Sequence, residues 1–185
     1  MVGRRQVQMV IRDRFKVTNE QINDLYPQEY PEYSFFYLTK ENYHQYRDDL
    51  ELIIEYHHKD LDWDGTPTWE VLEQRFAAGS TCYLMRYKNV ALGWGWSNRR
   101  LTFNWIDIVS DIPENGMYGG GTFVTRSVER PGRSGVYYTS KWYQFLFEHE
   151  KLKYMYGYID EWNRGFIRMN YLLGWKKVDW MQLYF

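Results

Sequence analysis

The chain has 185 residues, the size of one ordinary domain, so a second independent core is not expected. Its only cysteine, Cys82, cannot form an internal disulfide, which excludes a disulfide-built scaffold and a cysteine-rich zinc module. The 23 Lys and Arg residues balance 24 Asp and Glu residues, and this net charge of −1 gives no support to a protein that binds duplex nucleic acid. No apolar stretch reaches the roughly 18 residues of a membrane span, and no signal peptide is evident, so we expect a soluble, cytoplasmic protein without membrane contact.

The first 34 residues carry weaker patterns than the remainder of the chain. A basic, roughly alternating segment at 6–12 is followed by a stretch rich in Pro and Tyr. We therefore expect residues 1–34 to form an N-terminal extension with at most one strand. From residue 35 onward the patterns alternate between strand and helix, and we assign residues 35–185 to a single domain of mixed α/β structure.

The predicted domain begins with a short strand at 35–38, followed by apolar residues at helical spacing to about residue 58. Thr66 and Pro67 predict the start of a second helix, which Gly79 ends. The remaining predicted elements, in chain order, are strands at 81–87, 90–96, 101–109 and 116–128, a helix at 136–150, a strand at 154–159, a helix at 163–173 and a strand at 175–185.

A glycine-containing loop, Gly-Arg-Ser-Gly at 132–135, lies between a predicted strand and a predicted helix. Glycine lets a ligand approach the backbone, and a helix N-terminus offers unpaired N–H groups and the positive end of a dipole. Arg133 adds a mobile positive charge. The loop therefore predicts a site for a phosphate or pyrophosphate group. The simpler alternative is a turn that needs glycine for its geometry alone.

Two motifs follow each other in the second half of the chain. Residues 128–137, VERPGRSGVY, lie along the pattern V-x-P-x-x-R-G-x-G-hydrophobic-G, with Gly135 on the second-last glycine and Tyr137 in place of the last. An alternative register places Arg130 and Gly135 at the ends of R-x-x-G-x-G. Residues 163–175, NRGFIRMNYLLGW, follow the pattern N-x-x-S/A-x-x-x-Y/N-x-x-x-G-F. Both motifs, in this order, resemble the GNAT superfamily of acyl-coenzyme A dependent N-acyltransferases.

The resemblance covers residues 35–185 and implies the fold and the activity of that family. The implied fold is a single α/β domain with a mixed, mostly antiparallel twisted sheet, about four flanking helices and a V-shaped split for the coenzyme. The implied activity is transfer of an acetyl group from acetyl-coenzyme A to a primary amine of a small molecule or protein, by direct attack of the amine. Acetyl-coenzyme A is then the co-substrate, and no metal is required.

The resemblance also implies where the coenzyme binds. Its pyrophosphate is expected on the amides at the start of the helix after the glycine loop, and its pantetheine arm near Asn163. A helix cap is the alternative role of Asn163. The residues expected to bind the coenzyme are Arg126, Val128, Gly132, Arg133, Ser134, Gly135, Val136, Tyr137 and Asn163.

Catalysis in this family involves an acid and a base. In many members a Tyr on the last helix donates a proton to the departing thiolate, and the matching position here is Asn170, with Tyr171 next to it on a different face of the helix. The attacking amine must also lose a proton, which calls for a carboxylate near the strand ends. The carboxylates considered are Glu129 and Asp107, with Asp160 and Glu161 as further options, and a solvated surface position is the alternative for each.

The segment from 41 to 75 is acidic, with 10 Asp or Glu residues against 3 Lys or Arg residues. Its part at 60–65 resembles the opening of a calcium loop, but Val71 stands where the loop needs a Glu ligand, so we expect no metal there. In the family's architecture this connection borders the acceptor site, which predicts a cationic or hydroxyl-rich acceptor. The alternative is a solvated surface. The residues expected to contact the acceptor are Asp62, Trp63, Trp96 and Trp105.

Two other functions stay open on the sequence. Asn170 and the lost family glycine favour a non-catalytic GNAT-like domain that binds coenzyme A or another ligand. The basic N-terminus is the only support for a GNAT-like enzyme that modifies a nucleic-acid base; its residues are Arg4, Arg5, Arg12, Arg14 and Lys16. A homodimer is compatible with each of these functions.

Overall fold

A computed structural model describes residues 9–22, 30–60, 67–98, 100–103, 108–111, 116–129 and 134–184. The α-helices of this part are α1 (Arg47–Asp60), α2 (Trp69–Ala77), α3 (Ser134–Glu150) and α4 (Arg164–Leu172). Its strands are β1 (Met9–Thr18), β2 (Tyr33–Leu38), β3 (Thr81–Tyr87), β4 (Val90–Asn98), β5 (Arg100–Phe103), β6 (Ile108–Asp111), β7 (Gly116–Val124), β8 (Tyr154–Asp160) and β9 (Lys176–Tyr184). Among these helices, none has the length and apolar character needed to span a membrane.

Seven of the strands form a single sheet in the order β2-β3-β4-β7-β8-β1-β9. Every neighbouring pair in it is antiparallel except β7 and β8, which run parallel. Strands β5 and β6 pair with each other as a separate antiparallel hairpin. The mixed, mostly antiparallel sheet with four flanking helices that we expected is therefore confirmed for the described residues.

Each face of the sheet carries its own hydrophobic core. Helices α3 and α4 cover one face, and its core cluster extends from Phe15 of β1 to Tyr138 and Trp142 of α3. Helices α1 and α2 cover the other face, where Phe76 lies in one cluster with Trp96 of β4. Burying an aromatic side chain removes a large apolar area from water, so these two layers account for much of the fold's stability.

The local sequence explains which sides of these elements are buried. In α1, Leu50, Ile53 and His57 recur at helical spacing and are all buried, so one stripe of the helix meets the sheet. In β3, successive side chains point to opposite faces: Cys82 belongs to the core under α1 and α2, and Tyr83 to the core under α3. A strand covered on both faces reads as a continuous apolar run, as β3 does.

The first strand lies inside the sheet, between β8 and β9, and pairs antiparallel with both. Its Phe15 and Val17 are completely buried in the core under α3. We expected residues 1–34 to be an extension outside a domain that begins at residue 35. The pairing corrects that boundary, because β8 and β9 are connected in the described sheet through β1.

The ends of the helices and hairpins follow the sequence signals with small shifts. Helix α2 begins after Thr68, slightly later than predicted. The Thr68 side chain accepts a hydrogen bond from the backbone N–H of Val71 at 3.5 Å. Gly79 ends it with a φ of +82°, a conformation that favours glycine. The β3–β4 turn has positive φ at both Lys88 and Asn89, as two-residue hairpin turns require.

The single strand predicted at 101–109 is wrong. The structure has two short strands there, β5 and β6, which pair in register from Arg100 opposite Asp111 to Phe103 opposite Ile108. Residues 104–107 between them lie outside the described part of the chain. In the sequence, the apolar residues Ile106 and Ile108 after Trp105 break the two-residue alternation that a single strand requires. Strand β7 also ends earlier than predicted, at Val124.

Replacing Gly95 of β4 with Ala is expected to destabilise the fold by about 1–3 kcal/mol. An added Cβ would lie 2.7 Å from the Tyr138 hydroxyl and 2.9 Å from the Trp142 ring, so α3 would have to move away from the sheet. Gly165→Ala is the control, because nothing lies within 4 Å of its added Cβ, and a helical Gly→Ala change should be neutral or stabilising. Urea unfolding followed by circular dichroism measures both. Equal stability of the two variants would contradict the proposed packing of α3.

Candidate functional site

The parallel strands β7 and β8 pair over a short distance and then separate. Three residue pairs connect them, from Gly116 opposite Tyr154 to Tyr118 opposite Tyr156. Beyond these pairs lies a cavity of about 160 Å³. Its walls come from both strands and from α3 and α4, with Gly119, Thr122, Gly157, Tyr143, Phe166 and Asn170 among the lining residues. The resemblance predicted a V-shaped split in the sheet, and this cavity lies where two neighbouring strands separate.

The chain direction brings two helix N-termini to this end of the sheet. Parallel strands have their carboxyl ends at the same edge, and β7 is followed by α3 whereas β8 is followed by α4. The first amides of a helix have no acceptor within it, and the helix dipole favours an anion there. Both helix N-termini therefore lie toward the same edge of the sheet, and the start of α4 also lines the cavity.

The start of α3 is open to a ligand at Gly135. Nothing lies within 4 Å of the position that a Cβ would take there. Gly132 and Arg133, the other expected members of this loop, lie outside the described residues. The prediction of an anion site at this turn therefore rests on the backbone amides of Ser134, Gly135 and Val136.

The side chains of Ser134 and Tyr137 are directed away from the split. The Ser134 hydroxyl lies 2.6 Å from the Tyr33 hydroxyl, and the Tyr137 ring packs 5.0 Å from the rings of Tyr30 and Tyr33. Tyr137 lines a separate groove between β2 and the outer side of α3, with a volume of about 420 Å³. Their expected contribution to coenzyme binding is thus limited to the backbone.

Asn163 caps α4 and also lines the cavity. Its side-chain oxygen accepts a hydrogen bond from the backbone N–H of Phe166 at 3.2 Å, so the capping role is present. An Asn side chain also has an NH₂ group, and this cap uses the oxygen alone. The residue therefore fits both alternatives that the sequence left open.

Asn170 is buried, with 1% of its surface exposed to solvent. Its Nδ2 donates to the carbonyl of Phe166 at 2.9 Å, and its Oδ1 accepts a hydrogen bond from the Tyr143 hydroxyl at 3.3 Å. Tyr143 and Asn170 both line the cavity. The sequence did not single out Tyr143, because its partner lies 27 positions away and no local motif connects α3 with α4.

Tyr171 does not share this position. It is 51% exposed and packs edge-to-face against Phe15 of β1, with ring centroids 5.5 Å apart. One step along a helix rotates the side chain by about 100°, which directs Tyr171 away from its neighbour Asn170. As an acid for the cavity, Tyr171 is therefore poorly placed.

The loop between β7 and α3 is held by Asp60 at the end of α1. The Asp60 carboxylate accepts hydrogen bonds from the Thr125 hydroxyl at 2.6 Å, the Arg126 backbone N–H at 2.6 Å and the Ser127 hydroxyl at 2.7 Å. Burial opposes ionisation of this carboxyl, but the three hydrogen bonds outweigh it and hold the pKa of Asp60 below its ordinary value. Arg126 itself is exposed, and Val128 packs against the core under α3.

Partners inside the protein account for part of the acidic segment at 41–75. Asp49 forms an ion pair with Arg86, and Glu51 pairs with Arg47. Asp60 holds the loop after β7. These three carboxylates stabilise the fold, so the acidic character of the segment supports an acceptor site less than the charge count indicated.

The remaining sequence candidates are dispersed. Glu129 is exposed, and Trp96 is buried in the core between β4 and α2, where it contacts Phe76, so it is not placed to contact an acceptor. The other candidates lie outside the described residues; they are Asp62, Trp63, Trp105 and Asp107. Trp162, next to Asn163, is 75% exposed at the start of α4.

His57 is a buried titratable group that the sequence analysis did not select. It lies in the last turn of α1, with its ring 4.6 Å from Phe123 of β7, and its Nδ1 has no hydrogen-bond partner among the described residues. Burial, with smaller contributions from His58 and Arg75, lowers the pKa of His57. Its imidazole is therefore neutral at pH 7. Helical spacing marked it as a core position, and only the fold shows that it lies beside β7.

The cavity lining includes two buried polar atoms without a hydrogen-bond partner among the described residues. They are the Thr122 hydroxyl and the indole Nε1 of Trp175. An unpaired buried polar group costs free energy, and such groups are a sign of a missing ligand or water. A ligand with amide groups, such as the pantetheine arm, suits a cavity with these properties.

Comparisons with solved structures identify the fold. A functionally unknown conserved protein from Staphylococcus epidermidis matches with a TM-score of 0.66 and 8% identity, over 97% of this chain and 62% of that chain. A GCN5-related N-acetyltransferase from Kribbella flavida matches with a TM-score of 0.55 and 14% identity, over 95% and 58%. A tandem GNAT protein from the clavulanic acid biosynthesis pathway matches with a TM-score of 0.60 and 12% identity, over 95% and 54%.

These similarities show that the chain has a GNAT-like fold. The chain spans between about half and three fifths of the length of these structures. No protein-family model matches the sequence, and no curated protein matches it either.

Replacing Asp60 with Asn is expected to cost about 1–2 kcal/mol of stability at neutral pH, because a neutral amide accepts weaker hydrogen bonds from Thr125, Arg126 and Ser127. The folded pKa of Asp60 is lowered, so its contribution is present above the unfolded pKa of about 3.9 and is lost as the pH falls through the folded pKa. The stability difference between wild type and Asp60→Asn should therefore shrink in acid.

Urea unfolding at neutral pH and near pH 3 tests this expectation. The matched control is Glu55→Gln, an exposed carboxylate in the middle of the same helix, which should behave like wild type at both pH values. A difference for Asp60→Asn that stays constant with pH would contradict the role of its charge.

Proposed function

We propose that this chain is an acetyl-coenzyme A dependent N-acetyltransferase that acts on a primary amine of a small molecule or protein. The observation that carries the proposal is the cavity between β7 and β8, where the only parallel pair of the described sheet separates beside the start of α4 and beside Tyr143 of α3. A GNAT-like fold with this opening has the shape needed for a long, flexible coenzyme.

The proposed binding mode uses backbone groups first. The amides of Ser134, Gly135 and Val136 bind the pyrophosphate, because an anion at a helix N-terminus is stabilised by unpaired N–H groups and the dipole. The facing edges of β7 and β8 offer N–H and C=O groups to the pantetheine amides. Asn163 adds its side-chain NH₂ at the cavity. When bound, acetyl-coenzyme A supplies an acetyl group activated as a thioester.

The acceptor is proposed to reach the split from the face covered by α1 and α2. An amine must lose a proton to become a product amide, so a base or a water chain is required there. Glu129 and Asp107 remain proposals for this base from the sequence. His57 joins them, because it is neutral at pH 7 and contacts Phe123 of β7 on that face. The acidic loop with Asp62 and Trp63 remains a proposed border of the acceptor site.

A coenzyme A-binding domain without catalysis is the second candidate. It is favoured by Asn170, whose amide is occupied by internal hydrogen bonds at the position where many relatives have an acid. The described residues give less support to the nucleic-acid alternative. Two residues of the basic N-terminus, Arg14 and Lys16, lie over the rings of Tyr156 and Tyr154 within the protein. A cytoplasmic location and a homodimer remain proposals.

One experiment separates these functions. Native mass spectrometry with acetyl-coenzyme A tests binding, and an assay of thiol release against pooled amines tests transfer. Binding with amine-dependent thiol release supports the transferase. Binding alone, across all pools, supports the non-catalytic domain, and absence of binding contradicts both.

Gly135→Val is expected to abolish coenzyme A binding, because a branched side chain would occupy the open approach to the first turn of α3. Isothermal titration calorimetry with coenzyme A measures the effect. Ala77→Val is the control, since it adds a branched side chain at an exposed helix position on the other face of the sheet. Unchanged affinity in a folded Gly135→Val variant would remove this turn from the site.

Asn163→Ser is expected to keep most of the stability and to weaken coenzyme binding. Serine can cap α4, but it lacks the NH₂ group that the cavity offers to the coenzyme. Asn163→Ala removes both functions and should also lose about 1 kcal/mol of stability. Thermal unfolding and calorimetric affinity are measured on the same samples. Wild-type affinity in Asn163→Ser would leave Asn163 as a cap only.

A further inference from the structure

The Tyr143 hydroxyl lies next to Asn170, the residue at the family's acid position, although the two residues belong to different helices. Tyr143 belongs to α3 and is 2% exposed, and its hydroxyl lies 3.3 Å from Oδ1 of Asn170 on α4. Both side chains line the cavity between β7 and β8. Its ring is fixed by Trp142 and Trp175, each with a centroid 5.1 Å away. The phenol is therefore held in place, and only rotation about its C–O bond changes the direction of its proton.

Asn170 cannot supply a proton itself. A carboxamide does not ionise near neutral pH, and the Nδ2 group of Asn170 donates to the carbonyl of Phe166 in its own helix. Its Oδ1 is an acceptor that faces the Tyr143 hydroxyl. A separation of 3.3 Å is long for a hydrogen bond between oxygens, so this contact orients the phenol without holding its proton firmly.

The other hydroxyl groups near the cavity are less suitable. Tyr158 lines the cavity from β8, but Gly157 and Ile159 point toward the α3 face, so Tyr158 points to the opposite face. Tyr171 is exposed beside Phe15. Thr122 has an aliphatic hydroxyl, which is a much weaker acid than a phenol. Among the described residues, Tyr143 is thus the phenol that lies in the cavity on the side of α3 and α4.

We propose that Tyr143 is the catalytic acid that protonates the sulfur of coenzyme A, and that Asn170 is a positioning residue for its hydroxyl. This inference rests on the proposed acetyltransferase function. The amine nitrogen forms a bond to the acetyl carbon, the carbon–sulfur bond breaks, and its electron pair stays on sulfur. The Tyr143 O–H bond then breaks and an S–H bond forms. The proton released by the acylated nitrogen restores the phenol through solvent.

The test compares Tyr143→Phe with wild type in complex with coenzyme A. A hydroxyl that donates to the sulfur stabilises the thiolate, so it lowers the pKa of the bound thiol. Removing it should raise that pKa by about one unit or more, which ultraviolet absorbance of the thiolate measures as a function of pH. Coenzyme affinity should change by less than about threefold, whereas kcat with an identified amine should fall about a hundredfold or more.

Two further variants separate this role from a structural one. Tyr138→Phe is the matched control, because Tyr138 is a buried phenol of the same helix whose hydroxyl donates to the Tyr83 carbonyl outside the cavity. It should leave the thiol pKa unchanged. Asn170→Ala should raise the thiol pKa by less than Tyr143→Phe does, because the phenol remains but is no longer oriented.

The outcomes distinguish this inference from the function on which it rests. Absence of coenzyme A binding by the wild type would contradict the proposed function. Normal binding with an unchanged thiol pKa in Tyr143→Phe would overturn the role of Tyr143 alone. If Tyr143→Phe does not fold, 3-fluorotyrosine at position 143 replaces it as the test. This more acidic phenol must lower the thiol pKa further, and an unchanged value would overturn the proposal.

Discussion

The short contact between β7 and β8 is the constraint on which the site depends. After Tyr118 and Tyr156 the two strands stop pairing with each other, although β7 continues to pair with β4 and β8 with β1. Backbone N–H and C=O groups in a protein interior need partners, so a sheet interrupted in this way must accept a ligand or water in the gap. The glycines at 119 and 157 help to keep the gap open. A Cβ at Gly119 would come 3.0 Å from Met155, and one at Gly157 would come 3.3 Å from Trp175.

The gap is maintained by contacts between parts of the chain that are far apart in sequence. Asp60 of α1, a helix on one face of the sheet, fixes the first residues that follow β7 in the chain. Large rings fill the spaces on both sides of the sheet, as in the stacking of Phe35 on Tyr83 at 5.4 Å. The high aromatic content is therefore used mainly for packing. Trp162 is an exception, exposed at the start of α4.

Local patterns were sufficient to predict most of the described elements, and the site that they predict at the glycine-containing loop and Asn163 stays a prediction. Turn residues such as Gly79 and the Lys88–Asn89 pair marked the boundaries of elements correctly. Their backbone has positive φ angles, which do not continue a helix or a strand. Contacts over long sequence distances were not accessible in this way. The place of β1 between β8 and β9 depends on pairing with residues more than 130 positions away, and the meeting of Tyr143 with Asn170 depends on how α3 and α4 pack. Periodicity carries no information about either partner.

The position of β1 also affects how the chain can fold during synthesis. Its two hydrogen-bonding partners, Tyr154–Asp160 and Lys176–Tyr184, follow it in the chain by more than 130 residues, so they leave the ribosome well after it. Until they emerge, a strand with apolar Phe15 and Val17 has both edges free and is a template for pairing with another chain. The basic residues that alternate with them, Arg14 and Lys16, oppose such pairing through like-charge repulsion between copies. Completion of the sheet around β1 thus depends on pairing over long sequence separations, and a high contact order of this kind is associated with slow folding.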